Sequence, residues 1–247
     1  MSLITKKGRA AAESAMSEGG NKAFESLVSF KSGTTYIVRV PSVNDFVEYF
    51  SHGVFKVFYS STCTKTVGKE DLYCKAATLL YEDANKAKSG GDEELAKEIR
   101  QQAYQLKAKP RYLFGFFNVE DGEPILIDVS KKQAQALITA IDKYETRINS
   151  MPFEISKTGT GTGTTVSLFP MLESLRDKQQ KNFDETIDRV FPEDLYSKVL
   201  YAKEESKQVE DLVAFGFDVN RLGIEIDDTD SVTPVDDPDF NDDDIPF

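Results

Sequence analysis

His52, Cys63 and Cys74 fall within 23 residues of one another. Imidazole nitrogen and thiolate sulfur are the donors that a tetrahedral zinc ion takes, and a structural zinc site needs four of them. The position three after Cys74 is Ala77. Three ligands without a fourth leave two ordinary thiols, a surface imidazole and no cofactor as the expectation, with zinc at His52, Cys63 and Cys74 as the open alternative.

Other chemistry finds little support. No G-x-x-x-x-G-K-[ST] loop occurs, and the Thr158 to Thr165 repeat lacks the lysine and the strand-to-helix context that such a loop needs. A Ser-His-Asp arrangement would have to use His52, the one histidine, and no G-x-S-x-G elbow is present to partner it. Paired carboxylates concentrate at the C-terminal end, where nothing holds them in a catalytic geometry. The expectation is a protein that is not an enzyme.

A stronger signal is cations interleaved with rings. Lys107, Lys109 and Arg111 lead into Tyr112, Phe114 and Phe116, which alternate onto one strand face. A second cluster holds Tyr49, Phe50, Phe55, Lys56, Phe58 and Tyr59, with Arg39 on the strand before it. Cations meet phosphates and exposed rings stack on bases, at about 1 to 3 kcal/mol per base, which is the mixture single-stranded nucleic acid requires. Arg39, Tyr49, Lys56, Tyr59, Lys107, Lys109, Arg111, Tyr112 and Phe114 are the expected contact residues. The competing reading puts most of these rings in a core and the cations on a solvated rim.

Overall charge argues the other way at first. Across 247 residues, 42 acids against 30 bases give a net charge of -12, the sign that repels nucleic acid. Position changes the meaning. Residues 222–247 hold ten acids and no Lys or Arg, so residues 1–221 carry 32 acids and 30 bases, a net of -2. The acidity belongs to a tail that ends Asp242-Asp243-Asp244-Ile245-Pro246-Phe247. Apolar residues at the end of a solvated acidic run gain nothing unless a partner supplies a pocket, so these six residues read as a protein-docking tip.

The elements that must position these groups follow from periodicity. Residues 1–29 read as a basic arm carrying Lys6, Lys7 and Arg9, with a glycine pair at Gly19-Gly20. Residues 30–171 read as the body. TYIVRV alternates as a strand that Pro41 ends, and residues 46–62 form a long bent strand or two strands with Gly53 near the middle. Asp92 to Gln105 is a charged helical insertion with Leu95, Ile99 and Ala103 as its apolar stripe. RYLFGFFNV, the turn Glu120-Asp121-Gly122-Glu123 and PILIDV make a hairpin, and Ser130 caps the helix that follows. PFEIS and VSLFPM are a last strand pair. Residues 172–221 read as a helical extension and 222–247 as a disordered acidic tail. The fold class is therefore mostly β with helical additions, α+β, and five or so strands with an interposed helix suit an OB-fold-type five-stranded barrel.

No apolar run approaches eighteen residues, and MSLITKKGRAAAESAM has no apolar core followed by a cleavage site, so neither a membrane span nor a signal peptide is expected. Two cysteines are too few for a disulfide framework at this length and suit a reducing cytoplasm.

The DDDIPF ending resembles the C-terminal tip of bacterial single-stranded DNA-binding proteins, over six to nine residues. Separately, GNKAF at 20–24, His52-Gly53, Cys63, Cys74 and KAKPRYLFGFFNVEDGEPILIDVSKK resemble, in order and spacing, the helix-destabilising single-stranded DNA-binding proteins of T-even-like phages, loosely over residues 20–170. That resemblance implies an OB-fold core, a basic arm for cooperative self-association at Lys6, Lys7 and Arg9, and an acidic tail. It implies a DNA-facing strand at Lys107, Lys109, Arg111 and Tyr112, and the cytoplasm of an infected bacterium as the location. The phage family's zinc site matches at His52, Cys63 and Cys74 and departs at Ala77. Together these readings lead to an expectation of sequence-independent single-stranded DNA binding in phage replication, recombination and repair. The expected partners are single-stranded DNA and phage or host replication and repair proteins. The main alternative is an acidic adaptor or DNA mimic that binds host proteins and no DNA; a strand-annealing protein is a third.

Overall fold

Rings and β-branched residues at alternate positions favour a pleated, half-buried sheet. The computed structural model, which describes residues 26–224, gathers seven strands into one sheet. They are β1 (Thr35–Arg39), β2 (Phe46–Val54), β3 (Phe58–Thr62), β4 (Lys109–Asn118), β5 (Pro124–Ser130), β6 (Phe153–Thr158) and β7 (Thr165–Pro170). The strand order is β3-β2-β4-β1-β6-β7, with β5 on the other edge of β4. All six strand pairings are antiparallel.

Strand β4 is the hub. Its first half pairs β2 from Ser51↔Lys109 to Phe46↔Phe114, and its end pairs β1 at Phe117 and Asn118. Its opposite edge pairs β5 from Arg111↔Ser130 to Phe117↔Pro124. One strand holding two partners on the same edge bends the sheet, and the result is a curled half-barrel with helices, an α+β architecture. Seven strands stand where about five were expected. Residues 46–62 prove to be two strands: Lys56 turns the β2–β3 hairpin with φ 58°, and the register shifts between His52 and Val54, around Gly53.

Six α-helices complete the described chain: α1 (Leu72–Ser89), α2 (Glu93–Leu106), α3 (Lys131–Lys143), α4 (Asp177–Thr186), α5 (Asp194–Lys198) and α6 (Glu205–Phe215). Helix α1 adds to the elements expected. Asp71 caps it, its carboxylate accepting the Cys74 N–H at 3.0 Å, and Leu72, Tyr73, Ala76, Ala77, Leu80 and Ala84 form its buried face. Helix α2 packs against α1 as a hairpin between β3 and β4, and its buried residues are Ala96, Ala103 and Leu106. Leu95 faces solvent and Ile99 is only partly buried, because small Ala96 lets the two helices approach on a face rotated from the expected stripe. Ser130 and Gln133 form the capping box of α3, whose Ala134, Leu137 and Ile141 are buried.

Three apolar clusters hold these layers together. The largest joins Phe114 and Phe116 of β4 to Val38, Ile125, Ile127, Phe153, Ile155 and the buried face of α3. A second joins α1 and α2 to Val54, Phe58 and Leu212 of α6. A third covers the opposite face of β4, where Leu113, Phe117 and Leu126 meet Phe191, Tyr196 and Val199. Residues 172–221 thus pack onto the sheet and onto the helical hairpin. Gly115 allows that contact: a Cβ there would fall 2.6 Å from both Phe191 Cε1 and Tyr196 Oη. At the start of the described chain, Leu27 bridges Leu126 and the Val28 N–H donates to the Leu126 carbonyl, so the end of the expected arm is tied to β5. Among the described residues, no helix is long and apolar enough to cross a membrane.

Candidate functional site

The β2–β3 hairpin and the start of α1 bring four donor side chains to one point. His52 comes from β2, Cys63 follows β3, Asp71 caps α1 and Cys74 lies in its first turn. Their ligand atoms all lie within 4.8 Å of one another. The Cys63 and Cys74 sulfurs are 3.6 Å apart, Cys74 Sγ is 3.7 Å from His52 Nε2, and His52 Nε2 is 3.2 Å from Asp71 Oδ1. Zinc bonds of about 2.3 Å to sulfur and about 2.0 to 2.1 Å to nitrogen or oxygen imply tetrahedral edges of roughly 3.3 to 3.8 Å. Three of the six donor–donor distances, 3.2, 3.6 and 3.7 Å, lie in or within about 0.1 Å of that range, and all six are 4.8 Å or less, so the cluster is near a metal-binding geometry.

The surrounding groups orient these donors. The Leu106 carbonyl, at the end of α2, lies 2.7 Å from His52 Nδ1, so that nitrogen carries a proton, and Nε2 is the nitrogen whose lone pair would face a metal once its own proton is lost. Asp71 Oδ2 accepts the Thr64 N–H at 3.0 Å, which fixes the carboxylate with Oδ1 turned inward. The His52 and Asp71 side chains are fully buried.

In the protein without metal, burial opposes charge on His52. Hydrogen bonds with Asp71 and Cys63 and the Asp71 charge overcome it, raising the imidazole pKa to about 9. Burial likewise opposes the Asp71 carboxylate, and His52 overcomes it, lowering its pKa to about 2. The hydrogen bond from Cys74 lowers the Cys63 thiol pKa and raises that of Cys74, so Cys63 is the one favoured as thiolate.

His52, Cys63 and Cys74 were the three candidate donors visible in the sequence; Asp71 is the one missed. Ala77 lies one helical turn beyond Cys74, in the buried face of α1, whereas Asp71 stands three residues before Cys74. The available signal was D-x-x-C at a helix start, where a carboxylate that caps the helix also faces the side chain one turn on.

The expected nucleic-acid contacts do not form one surface. Phe114 is about 1% exposed and stacks on Phe46 within the largest core cluster, with Phe116 beside it. Those rings do share a strand face, but it is the face the half-barrel closes on. Arg39 is also about 1% exposed. It donates to the Arg189 carbonyl at 2.6 Å, and both guanidinium groups sit over Phe117, at 4.9 and 4.7 Å from its centroid. The segment that carries Arg189 encloses it, so neither Phe114 nor Arg39 offers a face to a base or phosphate.

Arg111 and Tyr49 are cross-strand partners, and Arg111 Nη2 donates to Asp128 Oδ2 at 2.5 Å. Burial works against the Arg111 charge, and Asp128 holds it in place, pushing the pKa further up. Burial, then Asp128, pushes the Tyr49 hydroxyl up as well. This triad neutralises itself. Tyr112, on the other face of β4, is partly buried and its hydroxyl donates to Glu48 Oε1 at 2.5 Å.

Of the remaining expected contacts, Lys56, Tyr59 and Lys107 are exposed and Lys109 is half-buried. Lys56 is at the hairpin tip, its ammonium 5.0 Å from the Phe55 ring, and Tyr59 is exposed on β3. Lys107 is exposed at the end of α2, and Lys109 opens β4 with its ammonium 5.0 Å from the Tyr104 ring. The arm residues Lys6, Lys7 and Arg9 and the tip Asp242, Asp243, Asp244, Ile245, Pro246 and Phe247 lie outside the described residues.

No protein-family model, curated protein or solved structure matches the chain.

Proposed function

We propose that the chain binds single-stranded DNA without sequence preference, as a replication protein of the phage type, and that its acidic tail recruits partner proteins. The observation that carries the reading is the separation of charge. A body of net charge -2 exposes Lys56, Tyr59 and Lys107, with Lys109 half-buried beside them in sequence, while the last 26 residues hold ten acids and end in Ile-Pro-Phe. A near-neutral body can present a local basic surface that the average charge conceals. The curled antiparallel sheet, read as an OB-fold-type barrel with two additional strands, supplies the scaffold that such binders use.

In this reading the acidic tail competes with DNA for the basic surface and is released when DNA binds. Titration of oligo-dT into the full chain and into a chain ending at residue 221 tests it. Tighter binding by the shortened chain, most visibly at low salt where charges are least screened, is the expected result. Equal affinities would remove the competition, and no binding by either chain would remove the DNA function and favour an acidic adaptor, for which the net charge of -12 speaks.

The metal cluster enters the same proposal. His52, Cys63, Asp71 and Cys74 would hold one zinc ion. Four protein donors leave no open position, so the ion would be structural, tying the β2–β3 hairpin to the first turn of α1. Asp71 there takes the role for which Ala77 has no side chain.

A further inference from the structure

Arg39 is a buried cation that forms no ion pair among the described residues. Buried charges are ordinarily paired, because the solvation they lose is otherwise not recovered. Its Nη2 donates to the Arg189 carbonyl, a neutral acceptor, and its Nε has no partner. Arg39 and Phe117 are cross-strand partners, and the Arg189 guanidinium shares the same Phe117 ring while donating to the Gly122 carbonyl. Burial lowers the Arg39 pKa; Asp45 and Asp188 oppose that shift, and Arg189 adds to it.

Residues 187–200 create this arrangement by lying across β4, with Phe191 and Tyr196 over Gly115. Their fit is imperfect. Among the described residues, the buried side-chain polar atoms without a hydrogen-bond partner are Arg39 Nε and Tyr196 Oη, and both lie where this segment meets the sheet. Each costs free energy that a better-matched cover would not. The segment also turns Val190, 84% exposed, and Ile187 toward solvent while it seals a cation away from it.

We propose that Arg39 and Phe117 form a nucleotide subsite for single-stranded DNA, and that residues 187–200 are a strap which covers it in the free chain and lifts when DNA binds. This rests on the single-stranded DNA reading and deepens it by naming a contact and the device that closes it. The strap makes the contacts a nucleotide would make: the Arg189 carbonyl accepts from Arg39 where a phosphate oxygen would, and the Arg189 guanidinium covers the ring on which a base would stack. A phosphate offers Arg39 the negative charge and the second acceptor that the carbonyl lacks. Arg111 has no such vacancy, since Asp128 already satisfies it. A cation beside a ring is the combination by which sequence-independent binders hold successive nucleotides.

The test titrates oligo-dT over a range of salt into the full chain and into R39M, G115A and, as a control of equal charge change on the exposed face of α1, K88M. R39M is expected to lose about tenfold in affinity at low salt and to flatten the log–log salt slope by about 0.7, one phosphate contact. Its melting temperature is expected to stay at or above wild type, because an apolar side chain replaces an unpaired buried charge. K88M is expected to keep the wild-type slope. In G115A the added Cβ falls 2.6 Å from Phe191 and Tyr196 and pushes on the strap alone, so this less stable variant is expected to bind oligo-dT about threefold more tightly. Hydrogen exchange on the wild-type chain reads the strap directly: amides in 187–200 are expected to exchange faster with oligo-dT bound than without it.

Wild-type affinity and slope in R39M would overturn the subsite while leaving the DNA function intact, and equal losses in R39M and K88M would reduce it to a net-charge effect. A melting temperature of R39M well below wild type would make Arg39 a structural group instead. Unchanged or weaker binding by folded G115A, or exchange in 187–200 that oligo-dT leaves unchanged or slows, would overturn the strap. Absence of oligo-dT binding by the wild-type chain would overturn the parent reading and the strap with it.

Discussion

His52 Nδ1 lies 2.7 Å from the carbonyl oxygen of Leu106. That one contact joins the four-donor cluster to the end of α2, and Lys107 and Lys109 follow within three residues. The histidine tautomer that frees Nε2 for a metal is thus set by the same backbone that launches the basic strand β4.

The cluster predicts stoichiometric zinc on purified protein, measured by elemental analysis. Asp71→Asn keeps an acceptor for the Cys74 N–H and so preserves the helix cap, but it removes the anionic ligand. Zinc affinity is expected to fall at least tenfold in that variant, whereas Asp71→Cys is expected to retain the metal. Full zinc occupancy and affinity in Asp71→Asn would remove Asp71 from the ligand set.

A pH series separates the metal-free from the loaded protein. Without metal, the His52 pKa rises from 6.5 to about 9, so its contribution to stability is complete below pH 6.5 and is lost as pH climbs through 9. The Asp71 pKa falls from 3.8 to about 2, so its contribution is complete above 3.8 and is lost as pH drops through 2. Zinc requires a neutral imidazole and thiolates, which reverses the first dependence. Melting temperature should therefore decline from pH 6.5 to 9 in chelator and hold or rise with zinc; parallel curves would contradict a metal-bound His52.

Arg111 is expected to matter for the fold more than for ligand contact. Arg111→Ala strands the Asp128 carboxylate beside Tyr49, a loss of about 1 to 3 kcal/mol for an unsatisfied partly buried group. Denaturant unfolding measures it, and a variant of unchanged stability with weakened oligo-dT binding would return Arg111 to the DNA surface.

Tyr112→Ala distinguishes the two faces of β4. If the Tyr112 ring stacks on a base, binding weakens by about 1 to 3 kcal/mol with the fold intact. Its partial burial and its hydrogen bond to Glu48 favour the opposite result, with oligo-dT affinity unchanged in a fluorescence titration.

Gly115→Ala tests how residues 187–200 are held. The added methyl meets Phe191 and Tyr196 at 2.6 Å, and both rings are packed against neighbours that resist displacement. A loss of about 1 to 3 kcal/mol in unfolding free energy is expected, typical of overpacking. Wild-type stability would mean that this segment lifts from β4 at little cost.

Local pattern was enough for elements whose signals are short-range. The β4–β5 hairpin with Gly122 at φ 77°, the capped helix after Ser130 and the β6–β7 pair all follow from alternation, turn residues and capping chemistry. Tyr112, Phe114 and Phe116 were correctly placed on one face, because side chains alternate in any strand. Which face is open depends on what covers it, and that is long-range: α3 closes over Phe114 and Phe116, while Arg189 and Phe191 enclose Arg39 and Phe117. Charge partition between body and tail was legible by counting, since it needs no geometry. The fourth donor was not. Asp71 joins His52, Cys63 and Cys74 only when the β2–β3 hairpin folds against the capped start of α1, a meeting of residues up to 22 positions apart that no spacing rule along the chain encodes.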